Sequence, residues 1–195
     1  LGLRPADLGP PDLELRAATQ SLRMHSGPGV WLRCQGCARE RWHERVRALP
    51  GVESVALASR IPLSPGRSQT TFRLGDEPDG PVADVNTVTP EFFPLLGIPI
   101  ARGRVFAEGE IDAVMVSEST ARRYWPGQDP LGRTIMTMDV PRRAIVGIVR
   151  DAQVSQARDA ASSYLYLPAV RGTQGGISVL VPTSQETTVF AGTIR

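Results

Sequence analysis

The stretch AVMVSESTARRYWPGQDPLGRTI, residues 113–135, carries in order a strand, a helix cap, a short helix, a stop and a re-entry, and its reading sets the class of the whole chain. AVMVSE is an apolar run of strand length. Ser117 stands where a helix needs an N-cap hydroxyl, and ESTARRYW follows with helical composition. Pro126 halts that helix, since it has no backbone N–H to donate and crowds the preceding turn. Tyr124 and Trp125 plug a core edge and fix the helix end. Pro126, Gly127, Pro130 and Gly132 then set the backbone angles of a turn that returns the chain to TIMTM.

Working outward, TIMTMDV and RRAIVGIVRD read as a hairpin pair, and SYLYLPA and ISVLVPT as later strands, with AQVSQARDAASS between as a loop or short helix. Upstream, IPIARGRVF is extended. TPEFFPLLG reads as a short helix with Thr89 as N-cap, Pro90 at the first position, Gly97 at the stop and Phe92, Leu95 and Leu96 buried. PVADVNTV and TTFRLGD are strands joined by the turn former GDEPDG. ARERWHERVRALPGV places Trp42, Val46 and Leu49 on one helical face and feeds the strand VESVALAS. Residues 1–37 are rich in Gly, Pro, Arg and Ser without a sustained period, so only short local order is expected there. The total is about eight strands and three or four short helices, an α+β chain.

A chain of 195 residues suffices for one domain or two small lobes. Its 41% hydrophobic and 22% charged residues lie near globular averages, which excludes wholesale disorder and a membrane-embedded body. All 22 basic residues are arginine; with 20 acidic residues interspersed the net charge is +2, and no basic stripe with interleaved aromatics exists, so no nucleic-acid partner is expected. No run approaches the roughly 20 apolar residues of a membrane span. The first residues lack the regions of a signal peptide, and the chain reads as an excised piece of something longer.

The sharpest local motif is CQGC, with Cys34 and Cys37 flanked by His25 and His43. Two thiolates at this spacing suit a zinc loop or a redox dithiol, and in an oxidising compartment they can form a local disulfide. The absent second knuckle, the lack of a surrounding βαβ pattern and the placement of His43 in a helix favour an ordinary cysteine pair. Ser117, Glu118 and Ser119 follow a strand and open a helix as a nucleophile would, but GxSxG is absent and neither histidine sits beside a partner motif. The glycines of GTQGGIS precede a strand and make no phosphate cradle, and no Walker motif occurs. Arg102, Arg104, Arg122 and Arg123 can clamp an anion, with a solvated face as the simpler reading. No catalytic, cofactor or metal residue is therefore assigned.

Read in order, RVRALPGVESVALASRIPL (45–63), VNTVTPEFFPLLGIPIARGRVF (85–106), the opening stretch, AIVGIVRDAQ (144–153) and SYLYLPA (163–169) resemble the MacB-like periplasmic core domain of FtsX-type ABC transporter permeases, in particular the duplicated-permease group. The resemblance covers about residues 38–190. It implies a two-lobed extracytoplasmic domain set between the first and second membrane helices. A mixed α/β lobe, split in sequence over 1–80 and 155–195, would flank an inserted β-rich lobe over 81–154. It also implies a mechanotransmitter with no enzyme activity and no cofactor. The implied partners are the rest of the permease, a separate cytoplasmic ATP-binding subunit and an extracytoplasmic adaptor or cargo protein, with the transporter acting as a dimer or a duplicated chain.

One interval departs from the family. Where it would show an alternating strand and a long amphipathic helix, this chain reads LRAATQSLRMHSGPGVWLRCQGCARERW. A compensated pair of frameshifts across about residues 15–41 accounts for this, with CQGC as an accident of frame and the first strand of the lobe missing. Two readings of other classes stand beside the transporter: a free-standing module that captures a small ligand or peptide, and a metal or redox protein centred on Cys34 and Cys37.

Overall fold

The computed structural model describes residues 30–34, 47, 52, 54–60, 67–75, 80–138, 140, 142–151, 163–169 and 177–181. The elements in chain order are β1 (Val30–Cys34), β2 (Ala56–Ala58), β3 (Gln69–Leu74), β4 (Val82–Val88), α1 (Phe92–Leu95), β5 (Ile100–Gly103), β6 (Ala113–Ser117), α2 (Glu118–Tyr124), β7 (Thr134–Thr137), β8 (Arg143–Val149), β9 (Tyr164–Pro168) and β10 (Ile177–Val181). Few short helices on a sheet-rich core make this an α+β chain, as its sequence pattern predicts.

Two compact units divide the chain, one of residues 1–55 with 175–195 and one of residues 56–174. The sequence-based boundaries stand at 80 and 155. In the first unit β1 pairs antiparallel with β10 from Val30↔Val181 to Cys34↔Ile177. A strand thus lies within the interval 15–41: VWLRC is a short run of β-formers hidden among arginine and glycine. Of the helix expected before Pro50 only Arg47 is described, and it is helical and exposed. His25, Cys37, His43, the loop 152–162 and the helix expected from 184 lie outside the described residues.

In the second unit six strand pairings close on themselves. β3 pairs antiparallel with β4 and β7, β7 with β8, and β6 with β9, while β6 pairs parallel with β8, and β9 parallel with β4. β2 adds to β4 through Ala58↔Val88, and β5 adds to β8 from Ile100↔Val149 to Gly103↔Gly147. Strand alternation builds the interior: Phe72, Ala83, Val85, Val114, Val116, Ile135, Ile145, Leu165 and Leu167 form one buried cluster. A bulge between Val114 and Met115 in the β6–β8 pairing lets both Ile145 and Ile148 join it. β6 and β9 are buried along their whole length, which is why AVMVS and YLYLP read as near-continuous apolar runs.

A second layer is aromatic. Phe92 and Phe93 of α1 pack on Tyr166 with ring centroids 6.2 and 5.2 Å away, and Phe106 meets Phe93 at 6.0 Å. The buried pair of α1 is thus Phe92 and Phe93, whereas Leu95 and Leu96 are only half-buried, a correction that follows from the helix lasting a single turn. Gly97 closes it at φ 63°, as its sequence position predicts. Thr89 is no side-chain cap. Its carbonyl accepts from the Phe92 N–H at 3.1 Å, and its hydroxyl accepts from the Leu57 N–H at 3.1 Å.

Candidate functional site

The turn that decides the fold also builds a groove. Ser117 caps α2 as expected: its Oγ accepts from the Thr120 N–H at 3.2 Å and lies 2.8 Å from Thr120 Oγ1. One face of α2 then presents Glu118, Ala121 and Arg122, continuing to Trp125, the spacing that lines residues up on a helix. Trp125 ends the helix with its N–H on the Ala121 carbonyl at 3.0 Å and belongs to the buried cluster. Tyr124 points the other way. Its ring meets Phe72 edge-on at 5.2 Å, and its hydroxyl accepts from Ser163 Oγ at 3.2 Å. The aromatic pair is therefore an anchor, as the sequence suggests.

After Pro126 the turn is held by one carboxylate. Asp129 accepts from the Leu131 N–H at 3.0 Å and from Arg102 Nη2 at 2.5 Å. The Leu131 N–H, followed by Arg102, keeps this carboxyl below the usual carboxylate range despite an opposing contribution from burial. Gly127 and Gly132, with φ of 69° and 77°, take backbone angles in the left-handed region that other residues resist. Between this turn, the outer face of α2 and Ala101 and Arg102 of β5 lies a cavity of about 410 Å³ floored by Ile148 and Trp125. Its floor is apolar and its rim bears two guanidiniums, one carboxylate and Gln128, a surface able to seat an apolar side chain beside a polar group.

The four arginines singled out from the sequence do not converge into a clamp. Arg102 pairs with Asp129. Arg122 Nη2 donates to Asp151 Oδ2 at 2.7 Å, and Arg123 lies 5.5 Å from the Tyr124 ring centroid. Arg104 forms a two-point pair with Glu110, at 2.8 and 2.6 Å. Ser119 Oγ and N–H both donate to Asp151 Oδ1, at 2.5 and 2.9 Å. Burial pushes the Asp151 carboxyl up, but Ser119 and Arg122 together outweigh it and leave the group lowered. Burial raises the Tyr164 hydroxyl to about 12 and raises Tyr166 as well, so both stay protonated. Cys34 lies in β1, and among the described residues no group of three or more His, Cys, Asp or Glu side chains is placed to hold a metal. Among them, too, no helix is long and apolar enough to cross a membrane.

The Arg104 guanidinium, then the Ala107 N–H donating at 2.7 Å, hold the Glu110 carboxyl down at about 2. A folded value below the unfolded one, about 4.3, means that the stabilisation is present in full above the unfolded value. It is lost as pH falls through the folded value. The Glu110 carboxyl resonance is expected to titrate with a midpoint near 2, and Arg104→Gln to shift it towards the ordinary range. An unmoved midpoint in that variant would refute the assignment.

Asp129, Asp151 and Ala101 escaped the sequence reading, because each reaches the site from a different element and no local motif marks it. Three comparisons bear on what such a chain is. The family model for the MacB-like periplasmic core domain matches residues 15–192. The periplasmic region of MacB from Actinobacillus actinomycetemcomitans superposes with a TM-score of 0.59 at 18% identity, covering 81% of this chain and 71% of that one. The extracellular domain of the noncanonic ABC-type transporter YknZ from Gram-positive bacteria gives 0.58 at 17%, covering 93% and 83%. A domain of a permease protein from Porphyromonas gingivalis gives 0.53 at 17%, covering 74% and 67%. At these identities the structural likenesses show the fold. Comparison with curated proteins finds no match. The family match runs through all but the two ends of the chain, β1 included, and the chain belongs to the MacB-like periplasmic core domain family of ABC transporter permeases.

Proposed function

We propose that this domain couples ATP-driven movement of a permease's membrane helices to export of a substrate, or to actuation of a partner protein, outside the cytoplasm. The family match over residues 15–192 carries this reading. The chemistry of the surface supports it, since Arg102 is committed to fixing a turn, and Ser119 and Arg122 to holding Asp151 at the helix. ATP hydrolysis then belongs to a separate cytoplasmic subunit and not to this chain. The domain lies on the extracytoplasmic side of the cell membrane, joined to the permease's helices, and works as a dimer or a duplicated chain with an adaptor or cargo protein. Residues 1–55 with 175–195 form the lobe that is split in sequence, and residues 56–174 the inserted lobe.

Spin labels at exposed Glu108→Cys, in the intact permease reconstituted with its ATP-binding subunit, test the proposal. The distance between labels on the two domain copies is expected to change between nucleotide-free and ATP-bound states. An identical distance distribution in both states would sink the coupling role. The cavity of about 410 Å³ favours a second reading, an extracytoplasmic module that captures a ligand or peptide without a motor. Apolar runs of roughly 20 residues encoded on both sides of the segment would decide for the permease.

A further inference from the structure

The inserted unit begins at Ala56 and ends at Gln174, so the chain enters it through β2 and leaves it after β9. These two strands flank the same strand at the same place: Ala58 and Pro168 are both partners of Val88, on opposite edges of β4. The Ala169 N–H donates to the Val88 carbonyl at 2.8 Å, and the Thr89 N–H donates to the Leu57 carbonyl at 3.0 Å. On the β2 side, hydroxyls complete the ladder. Leu57 N–H donates to Thr89 Oγ1 at 3.1 Å, and Thr87 N–H donates to Ser59 Oγ at 3.0 Å. Asn86 Oδ1 holds Ser59 Oγ and the Arg60 N–H, each at 3.0 Å.

We infer that the C-terminal end of β4, fixed by Thr89, is a single anchor through which both chain connections deliver load into the inserted unit. The inference rests on the coupling role proposed above and adds its point of application. With both strands tied to Val88, a pull on either connection meets β4 first at its C-terminal end, and β9 passes load to β6 only further in, through Tyr166 and Leu165. Two anchors far apart would instead shear the sheet. Thr89 is mostly buried, and its side chain supplies the bond that a backbone carbonyl would supply in a regular antiparallel ladder.

Hydrogen–deuterium exchange on the intact permease in detergent tests the anchor without reference to transport. Thr89→Val keeps the shape and removes the acceptor; Thr89→Ser keeps the acceptor. Peptides containing Leu57 and Ala169 are both expected to exchange about fivefold faster in Thr89→Val, the scale of one lost hydrogen bond, and near the wild-type rate in Thr89→Ser. Acceleration at Leu57 alone overturns the inference. Should Thr89→Val not fold, the wild type decides: the two peptides must open with the same denaturant dependence, and different slopes refute a shared anchor. In the Glu108 label experiment, Thr89→Val should at least halve the ATP-driven distance change while ATP hydrolysis stays within twofold. Full movement in that variant overturns the anchor. Labels that stay still in the wild type sink the coupling role, whereas the exchange data decide on the anchor by themselves.

Discussion

Gly147→Ala is expected to lower the thermal midpoint by roughly 6–12 °C, a loss of about 3 kcal/mol in a chain of this size. A Cβ on Gly147 would stand 2.3 Å from the Arg104 carbonyl oxygen and 2.8 Å from Met115 Cε. The methionine can swing away, but the backbone oxygen cannot without parting β5 from β8. Gly103, the register partner of Gly147, faces the same conflict at 2.4 Å from the Val146 carbonyl oxygen and adds a φ of 77°. The two backbones approach so closely that neither strand has room for a side chain, and the Arg104 N–H to Val146 carbonyl bond at 2.9 Å depends on that approach. Differential scanning calorimetry measures the effect, and a midpoint within 2 °C of wild type would show that the strands can separate freely.

The second large effect is expected from Thr120→Val, a loss of about 2 kcal/mol, with Thr120→Ser close to wild type. Thr120 has no exposed surface, and its Oγ1 accepts from the Tyr164 N–H at 2.7 Å. Valine leaves that N–H buried without an acceptor where α2 meets β9, and takes from Ser117 its 2.8 Å partner. Such a loss exceeds that of a surface hydrogen bond because water cannot replace the missing group. Urea unfolding of the three proteins side by side gives the answer; equal midpoints would mean that the hydroxyl only fills space.

What could be read from the sequence follows the range of the interactions concerned. The stretch 113–135 was legible because a strand, Ser117 as cap, Pro126 as stop and two glycines at positive φ are each decided within a few residues. Thr89 misled for a related reason. It stands where a cap would, but its hydroxyl is taken by Leu57, which no local rule foresees. Asp151 was silent because it holds the start of α2 from 32 residues away. The parallel pairings of β4 with β9 and of β6 with β8 join segments far apart in the chain, so about eight strands could be read nearly in place while their closure into a ring could not. The groove was hidden likewise, since its lining comes from β5, α2, β8 and one turn.

The closed ring bears on how such domains live beside one another. At an effective concentration near the millimolar range, an open sheet finds the edge of a neighbouring copy and zips to it. Each of the six ring strands already has a neighbour on both sides over part of its length. Along those paired lengths the six ring strands offer a second copy no free edge to join, and neighbouring copies can touch there without fusing.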